Sequence, residues 1–120
     1  MTAVTLARTS ADNGSEDFAV EVVRGDCHET VRVRGELDIA TAPLLRAALD
    51  GVYARRPERV EVDLSGITFL DASSIATLIA ARRRLAAQRA ALVLVDPSSI
   101  ARRVIRLAGL DRVLEVETTT

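Results

Sequence analysis

The chain has few aromatic residues: two Phe, one Tyr and no Trp among 120 residues. Proteins that read single-stranded nucleic acids commonly stack the bases on aromatic side chains, so this mode of binding has little support. The formal net charge of −1 gives no overall positive field that would attract a polyanion. Both scarcities argue against nucleic acid as a partner, and they leave Val, Leu, Ile and Ala to build the core.

The sequence contains one cysteine, Cys27, and one histidine, His28. A single cysteine cannot form an internal disulfide, which is consistent with a reducing compartment. Adjacent residues of a strand point to opposite faces, so Cys27 and His28 are poorly placed to share a metal ion. We expect a structural cysteine, an exposed histidine and no metal or cofactor.

Long hydrophobic runs are also missing. No apolar run approaches the ~20 residues of a membrane-spanning helix. The N-terminus lacks the basic and then apolar order of a secretory signal. These absences predict a soluble cytoplasmic protein without direct membrane insertion.

What is present is a set of short apolar runs separated by turn residues. Strands are predicted at 18–23, 31–35, 60–64, 92–95 and 113–116. Helices are predicted after the cap Thr41, from 72 to 89, and after Ser98 or Ser99, with Gly109 ending the last one. The first two strands could pair as an antiparallel hairpin. Strands that alternate with helices predict an α/β fold with a small mixed, mostly parallel sheet and helices packed on one side.

The length fits a single domain. Residues 1–16 end in a polar stretch and are expected to form a flexible leader. Residues 17–117 would form the folded domain, and residues 118–120 a polar tail.

Two hydroxyl groups mark the start of the long helix. Ser73 and Ser74 follow Asp71 where the apolar strand gives way to the helix. Free backbone N–H groups and the helix dipole favour negative charge there, so a phosphate of charge about −1.5 to −2 would be tolerated. The same residues are also typical of an ordinary capped helix, with Asp71 as the N-cap.

Helical periodicity separates the two hydroxyls. At 100° per residue, the apolar sector that should face the sheet contains Ile75, Leu78, Ile79, Leu85 and Ala86. The opposite, exposed strip contains Ser73, Ala76, Thr77, Ala80, Arg84 and Ala87. Ser73 is therefore predicted to be the more accessible hydroxyl, with Ser74 on the flank. Arg82 falls inside the apolar sector and does not fit this phase of the helix.

Three motifs carry a family resemblance. The segments 35–43 (GELDIATAP), 69–75 (FLDASSI) and 107–113 (LAGLDRV) occur in order over almost the whole chain. Together they resemble the STAS domain of bacterial anti-sigma-factor antagonists. The resemblance implies that Ser73 is the phosphorylated serine of an Asp-Ser-Ser-Gly-like motif. Ala72 stands where a first serine is common, and Ser74 stands where glycine is usual and puts a side chain beside the phosphoacceptor.

The resemblance also implies partners and a switch. The unphosphorylated protein would bind a kinase-type anti-sigma factor and release the sigma factor. The serine kinase would phosphorylate Ser73 and end the complex, and a serine phosphatase would restore it. The expected partner-binding residues are Asp38, Thr41, Asp71, Ser73, Ser74, Thr77 and Arg84. Asp38 can equally be read as a solvated loop carboxylate.

No enzymatic machinery is evident in the sequence. Gly-rich phosphate loops and a G-x-S-x-G elbow are missing, and Ser73 has no evident base. We therefore expect a binding protein without catalytic residues. The alternative function is a non-switching STAS scaffold, either in a stress-signalling assembly or as a soluble partner of a transporter.

Overall fold

The strands of the sheet pair in the order in which they occur along the chain. The computed structural model describes residues 2–9 and 18–119. The strands are β1 (Thr2–Thr9), β2 (Phe18–Arg24), β3 (His28–Leu37), β4 (Arg59–Leu70), β5 (Ala91–Val95) and β6 (Glu115–Glu117). All of them belong to one sheet.

The direction of the strands changes once across the sheet. β1 with β2 and β2 with β3 are antiparallel, whereas β3, β4, β5 and β6 run parallel to one another. Val22 lies opposite Val31, so the expected hairpin is confirmed. Parallel neighbours need long crossover connections, which the helices supply. The predicted mixed, mostly parallel sheet is confirmed.

The helices are α1 (Ala42–Ala54), α2 (Ala72–Ala87), α3 (Ser99–Leu107) and a short 3₁₀ helix (Leu110–Arg112). Of these α-helices, α2 and α3 begin at a residue whose side chain caps the first turn. Ser98 caps α3 as predicted, because its Oγ accepts a hydrogen bond from the backbone N–H of Ala101 at 3.1 Å. Gly109 adopts the expected left-handed conformation after α3, with φ of 70°.

The core lies between the helices and one face of the sheet. Val31, Val33 and Leu37 of β3 are buried, whereas the intervening Arg32 and Arg34 are exposed on the opposite face. Buried side chains from the sheet and from all three α-helices form one apolar cluster. This arrangement confirms that the helices pack on one side.

Two glycines allow β3 and β4 to stay paired to their ends. A Cβ at Gly66 would lie 2.6 Å from the Cβ of Arg34, so only glycine fits this close approach. Gly35 has a φ of 95°, where other residues are strained. β4 therefore continues to Leu70, six residues beyond the end of the predicted strand 60–64.

The N-terminus differs from the prediction. Residues 2–9 form β1, which pairs with β2 from Thr2 opposite Arg24 to Thr9 opposite Phe18. The predicted leader over residues 1–16 is therefore wrong for residues 2–9. Val and Thr in this segment favour a strand, and the edge of β2 offers unpaired backbone groups. The remaining residues of the predicted leader lie outside the described residues.

The C-terminal strand begins two residues later than predicted. The backbone N–H groups of Val113 and Leu114 both donate to the carbonyl of Leu110, so these residues belong to a turn. In the predicted tail, Thr119 donates from its backbone N–H and its Oγ1 to the carboxylate of Asp96, each at 2.7 Å. Residue 120 lies outside the described residues.

An ion pair between a buried glutamate and an exposed arginine connects the end of α1 to β3. Glu29 is only 5% exposed. The Nε of Arg55 lies 3.0 Å from each carboxylate oxygen of Glu29, and its Nη2 donates to Oε1 as well. The end of α1 is thereby fixed to the start of β3.

We expect Arg55→Ala to lower the free energy of unfolding by about 2–3 kcal/mol, because it leaves the Glu29 carboxylate buried without its partner. Urea denaturation measures this loss. Arg46→Ala removes an exposed arginine of the same helix and should change stability by less than about 0.5 kcal/mol. Equal stability of the two variants would show that the Glu29–Arg55 pair does not support the fold.

Candidate functional site

The site lies where two parallel strands end side by side. Leu37 at the end of β3 pairs with Leu70 at the end of β4. The loop that leads into α1 and the first turn of α2 follow directly. Residues that are about 30 positions apart in the sequence therefore meet at the carboxyl ends of these two parallel strands.

The carboxylate of Asp71 organises the first turn of α2. Its Oδ1 accepts a hydrogen bond from the Oγ of Ser73 at 2.7 Å and from the backbone N–H of Ser74 at 3.1 Å. The same oxygen lies 3.0 Å from the Oγ of Ser74. Asp71 is therefore the N-cap of α2, as predicted.

These contacts fix the charge of Asp71. Partial burial acts to raise the pKa of its carboxyl group, but hydrogen bonds from Ser73, Ser74 and the backbone N–H of Ile39 outweigh burial and hold the pKa below its ordinary value. Asp71 is thus an ionised acceptor near neutral pH.

The two serines differ in exposure. Ser73 is partly exposed, whereas Ser74 is completely buried. The Oγ of Ser74 points inward and lies 2.7 Å from the carbonyl oxygen of Leu37. The structure agrees with the expectation that Ser73 is the more accessible hydroxyl. It also shows that the side chain of Ser74 does not cover Ser73.

Asp38 and Thr41 shape the loop between β3 and α1. The Oδ1 of Asp38 accepts hydrogen bonds from the backbone N–H groups of Ala40 at 2.9 Å and Thr41 at 3.1 Å. Thr41 occupies the predicted N-cap position, but its hydroxyl donates back to the carbonyl of Glu36 at 2.8 Å and makes no bond to the first turn of α1. Both side chains hold the loop beside the serines.

One exposed apolar residue lies in this loop, and a second lies near the end of β4, on the open face of the sheet, where Phe69 pairs with Glu36. Ile39 at the tip of the loop is 77% exposed, and Phe69, two residues before Asp71, is 47% exposed. The sequence reasoning missed both. An isolated apolar residue within a short polar loop is the signal that would have identified Ile39.

Thr77 contradicts the predicted phase of α2. It is 6% exposed, and its Oγ1 donates to the carbonyl of Ser73 at 3.0 Å. The buried face of α2 consists of Ser74, Thr77, Leu78, Ala81 and Leu85. The helix must pack against α1 as well as the sheet, so small and polar residues are also buried. The predicted place of Thr77 on an exposed strip is therefore wrong.

The observed buried face of α2 also explains the positions of Arg82 and Arg84. Arg82, which did not fit the predicted apolar sector, is exposed. Arg84 is exposed as predicted, but its guanidinium is engaged within the protein. It donates to the carboxylate of Asp50 and lies over the ring of Tyr53, 4.1 Å from the ring centroid. Arg84 thus fixes α2 to α1.

Outside this site, few groups offer reactive chemistry. His28 is exposed as expected. Cys27 is exposed and not structural, and hydrogen bonding to Glu58 raises the pKa of its thiol, which keeps it protonated. Within residues 2–9 and 18–119, no group of three or more His, Cys, Asp or Glu side chains is placed to hold a metal ion. None of the helices in this described part is long and apolar enough to cross a membrane.

Comparison with known proteins gives consistent matches. A family model described as "Mlab, STAS domain" matches residues 20–115. The anti-sigma-F factor antagonist RsfB of Mycobacterium tuberculosis is 32% identical over 87 residues, which cover 72% of this chain and 70% of RsfB.

Solved structures match over similar lengths. An anti-sigma factor antagonist from Mycobacterium paratuberculosis superposes with a TM-score of 0.77 at 30% identity, covering 91% of this chain and 90% of that one. Unphosphorylated SpoIIAA superposes with a TM-score of 0.74 at 21% identity, covering 85% and 89%. Its phosphorylated form gives 0.68, also at 21% identity, covering 85% and 92%. The likeness to SpoIIAA shows the fold alone.

We expect an NMR titration of the Asp71 carboxyl carbon to give a pKa below the ordinary value of about 3.9. Ser73→Ala should raise this pKa because it removes a donor to the carboxylate. Ser98→Ala, a hydroxyl deletion at α3, should leave it unchanged. The native pKa lies below that of the unfolded chain, so this stabilisation is complete above the unfolded value and is lost as the pH falls through the native pKa. An Asp71 pKa at or above the ordinary value would contradict the arrangement.

Thr77→Arg should lower the free energy of unfolding by more than about 2 kcal/mol, because it places a guanidinium at a buried position. The neighbouring Ala76 is exposed, and Ala76→Arg should change stability by less than about 0.5 kcal/mol. Urea unfolding of the matched pair measures the difference. If Thr77→Arg unfolds at the same urea concentration as the unchanged protein, Thr77 does not pack against α1.

Proposed function

Because the chain belongs to the STAS-domain family of anti-sigma-factor antagonists, we propose that it binds an anti-sigma factor and that phosphorylation of Ser73 ends this complex. The choice of Ser73 as the acceptor rests on its exposure. The Ser73 hydroxyl is partly exposed at the N-terminus of α2 and is held by Asp71 at 2.7 Å. Ser74, the other hydroxyl of this turn, is buried.

The surface around Ser73 is suited to a protein partner. The docking surface consists of Asp38, Ile39, Ser73 and Ala76. Ile39 supplies exposed apolar area, which is the kind of contact that contributes most to protein association. Ala76 is small and exposed one turn after Ser73, so a partner can approach α2 closely.

The charge of this surface explains how a phosphate would act. Asp71 already places a carboxylate 2.7 Å from the serine hydroxyl, and Asp38 adds a second carboxylate in the loop after β3. A phosphate of charge about −2 would change the net charge from −1 to about −3 and concentrate that change at the docking surface. Since a helix N-terminus tolerates negative charge, the fold should persist while the partner is repelled.

The partner we propose is an anti-sigma factor that is itself a serine kinase. The kinase would hold ATP and Mg²⁺, and this chain would supply only the acceptor hydroxyl. Binding of the unphosphorylated chain would occupy the anti-sigma factor and free the sigma factor. A separate serine phosphatase would remove the phosphate and restore binding. The chain would act in this cycle as a binding protein and a substrate.

We expect incubation with the anti-sigma kinase and ATP to place one phosphate on Ser73, mapped by mass spectrometry. Ser73→Ala should abolish labelling and keep partner binding. Ser65→Ala, which removes an exposed serine of β4, should be labelled normally. Calorimetric titration should show that phosphorylation weakens partner affinity at least tenfold, or about 1.4 kcal/mol.

Two outcomes would contradict this proposal. Phosphate on a residue other than Ser73 would place the acceptor elsewhere. Equal affinity of the phosphorylated and unphosphorylated chain for the anti-sigma factor would favour a non-switching scaffold.

A further inference from the structure

Ser74 is a completely buried hydroxyl with two acceptors in reach. Its Oγ lies 2.7 Å from the carbonyl oxygen of Leu37 and 3.0 Å from the Oδ1 of Asp71. A hydroxyl has one proton to donate, and the shorter contact is to Leu37. Because a buried polar group needs a partner, this side chain holds the first turn of α2 against the end of β3.

The carbonyl of Leu37 also faces the backbone N–H of Asp71, the first residue after β4. The backbone N–H of Asp71 reaches it at 3.3 Å, a long distance for an N–H···O hydrogen bond. The bond from Ser74 is therefore the closer of the two that join the end of β3 to the start of α2. A glycine, which the family resemblance leads one to expect at this position, would not supply it.

The position of Ser73 depends on the same turn. The Oγ of Ser73 is oriented by Asp71 at 2.7 Å, and Asp71 accepts from the backbone N–H of Ser74 at 3.1 Å. A partly exposed serine otherwise populates several χ1 rotamers. Anchoring Ser74 to Leu37 fixes the carboxylate that selects the rotamer of Ser73.

We propose that Ser74 is a positioning residue: its buried hydroxyl anchors the first turn of α2 to Leu37 so that Ser73 presents its Oγ in one orientation. The effect on phosphorylation rests on the proposed function, whereas the effect on the Ser73 rotamer does not. A preorganised acceptor reduces the ordering that the phosphoryl-transfer step requires. Loss of the anchor should therefore lower kcat and leave docking unchanged.

The first test uses the unphosphorylated protein alone. Three-bond NMR couplings to the β protons of Ser73 should report a single χ1 rotamer in the unchanged protein and rotamer averaging in Ser74→Ala. Ser98→Ala is the matched control, because the Oγ of Ser98 also donates to a strand carbonyl, that of Ile67, at 2.7 Å. It should keep the single rotamer. Ser74→Cys retains nearly the same volume with a weak donor, and it should give intermediate averaging even if Ser74→Ala does not fold.

The second test measures phosphorylation by the anti-sigma kinase. Ser74→Ala should lower kcat about fivefold, as expected when one hydrogen bond is lost, with KM for the protein substrate within about twofold. Ser98→Ala should leave both constants within about twofold. A purely structural role for Ser74 would alter stability in both variants but would not produce this selective loss of kcat.

Retention of a single Ser73 rotamer in Ser74→Ala, or an unchanged kcat, would overturn the positioning role. If the unchanged protein is not phosphorylated by the kinase, the proposed function fails. In that case the NMR couplings still decide whether Ser74 fixes Ser73.

Discussion

The parallel pairing of β3 with β4 is the constraint on which the site depends. Two glycines let these strands stay paired to Leu37 and Leu70, so both chain segments leave the sheet at one edge. The backbone N–H of Asp71 and the hydroxyl of Ser74 then bond to the same carbonyl, that of Leu37. The loop after β3 and the start of α2 are thereby brought together.

This arrangement keeps the buried hydroxyl of Ser74 apart from the proposed phosphoacceptor, Ser73. Ser74 is used inside the fold, where its hydrogen bond stabilises the junction. Ser73 lies one residue earlier and is partly exposed, and its hydroxyl donates to Asp71. A phosphate at Ser73 would remove its donation to Asp71, but the backbone N–H of Ser74 would still cap the helix. A phosphate could therefore be added at the surface while the hydrogen bonds between β3 and α2 beneath it remain.

Much of the fold could be predicted from the sequence, because apolar alternation and helix caps act locally. Asp71, Ser98 and Gly109 all have the predicted roles in helix termini. The phase of α2 could not be obtained in this way. Thr77 is buried because α1 packs on its side of α2, away from the sheet. The pattern of large apolar residues along α2 indicates the face toward the sheet and does not reveal this second packing contact. The strand at residues 2–9 was missed because its pairing with β2 is a tertiary interaction.

The prediction that Ser73 is more accessible than Ser74 agrees with the structure although the predicted phase of α2 was wrong, whereas the inward contact of Ser74 required the position of Leu37 in space. The most direct test of the proposed site is amide hydrogen exchange of the unphosphorylated chain, alone and with its anti-sigma factor. We expect slower exchange at residues 38–41 and 69–76 in the complex, with little change on the open face of the sheet. Protection confined to the open face or to α3, with none around Ser73, would contradict the central claim.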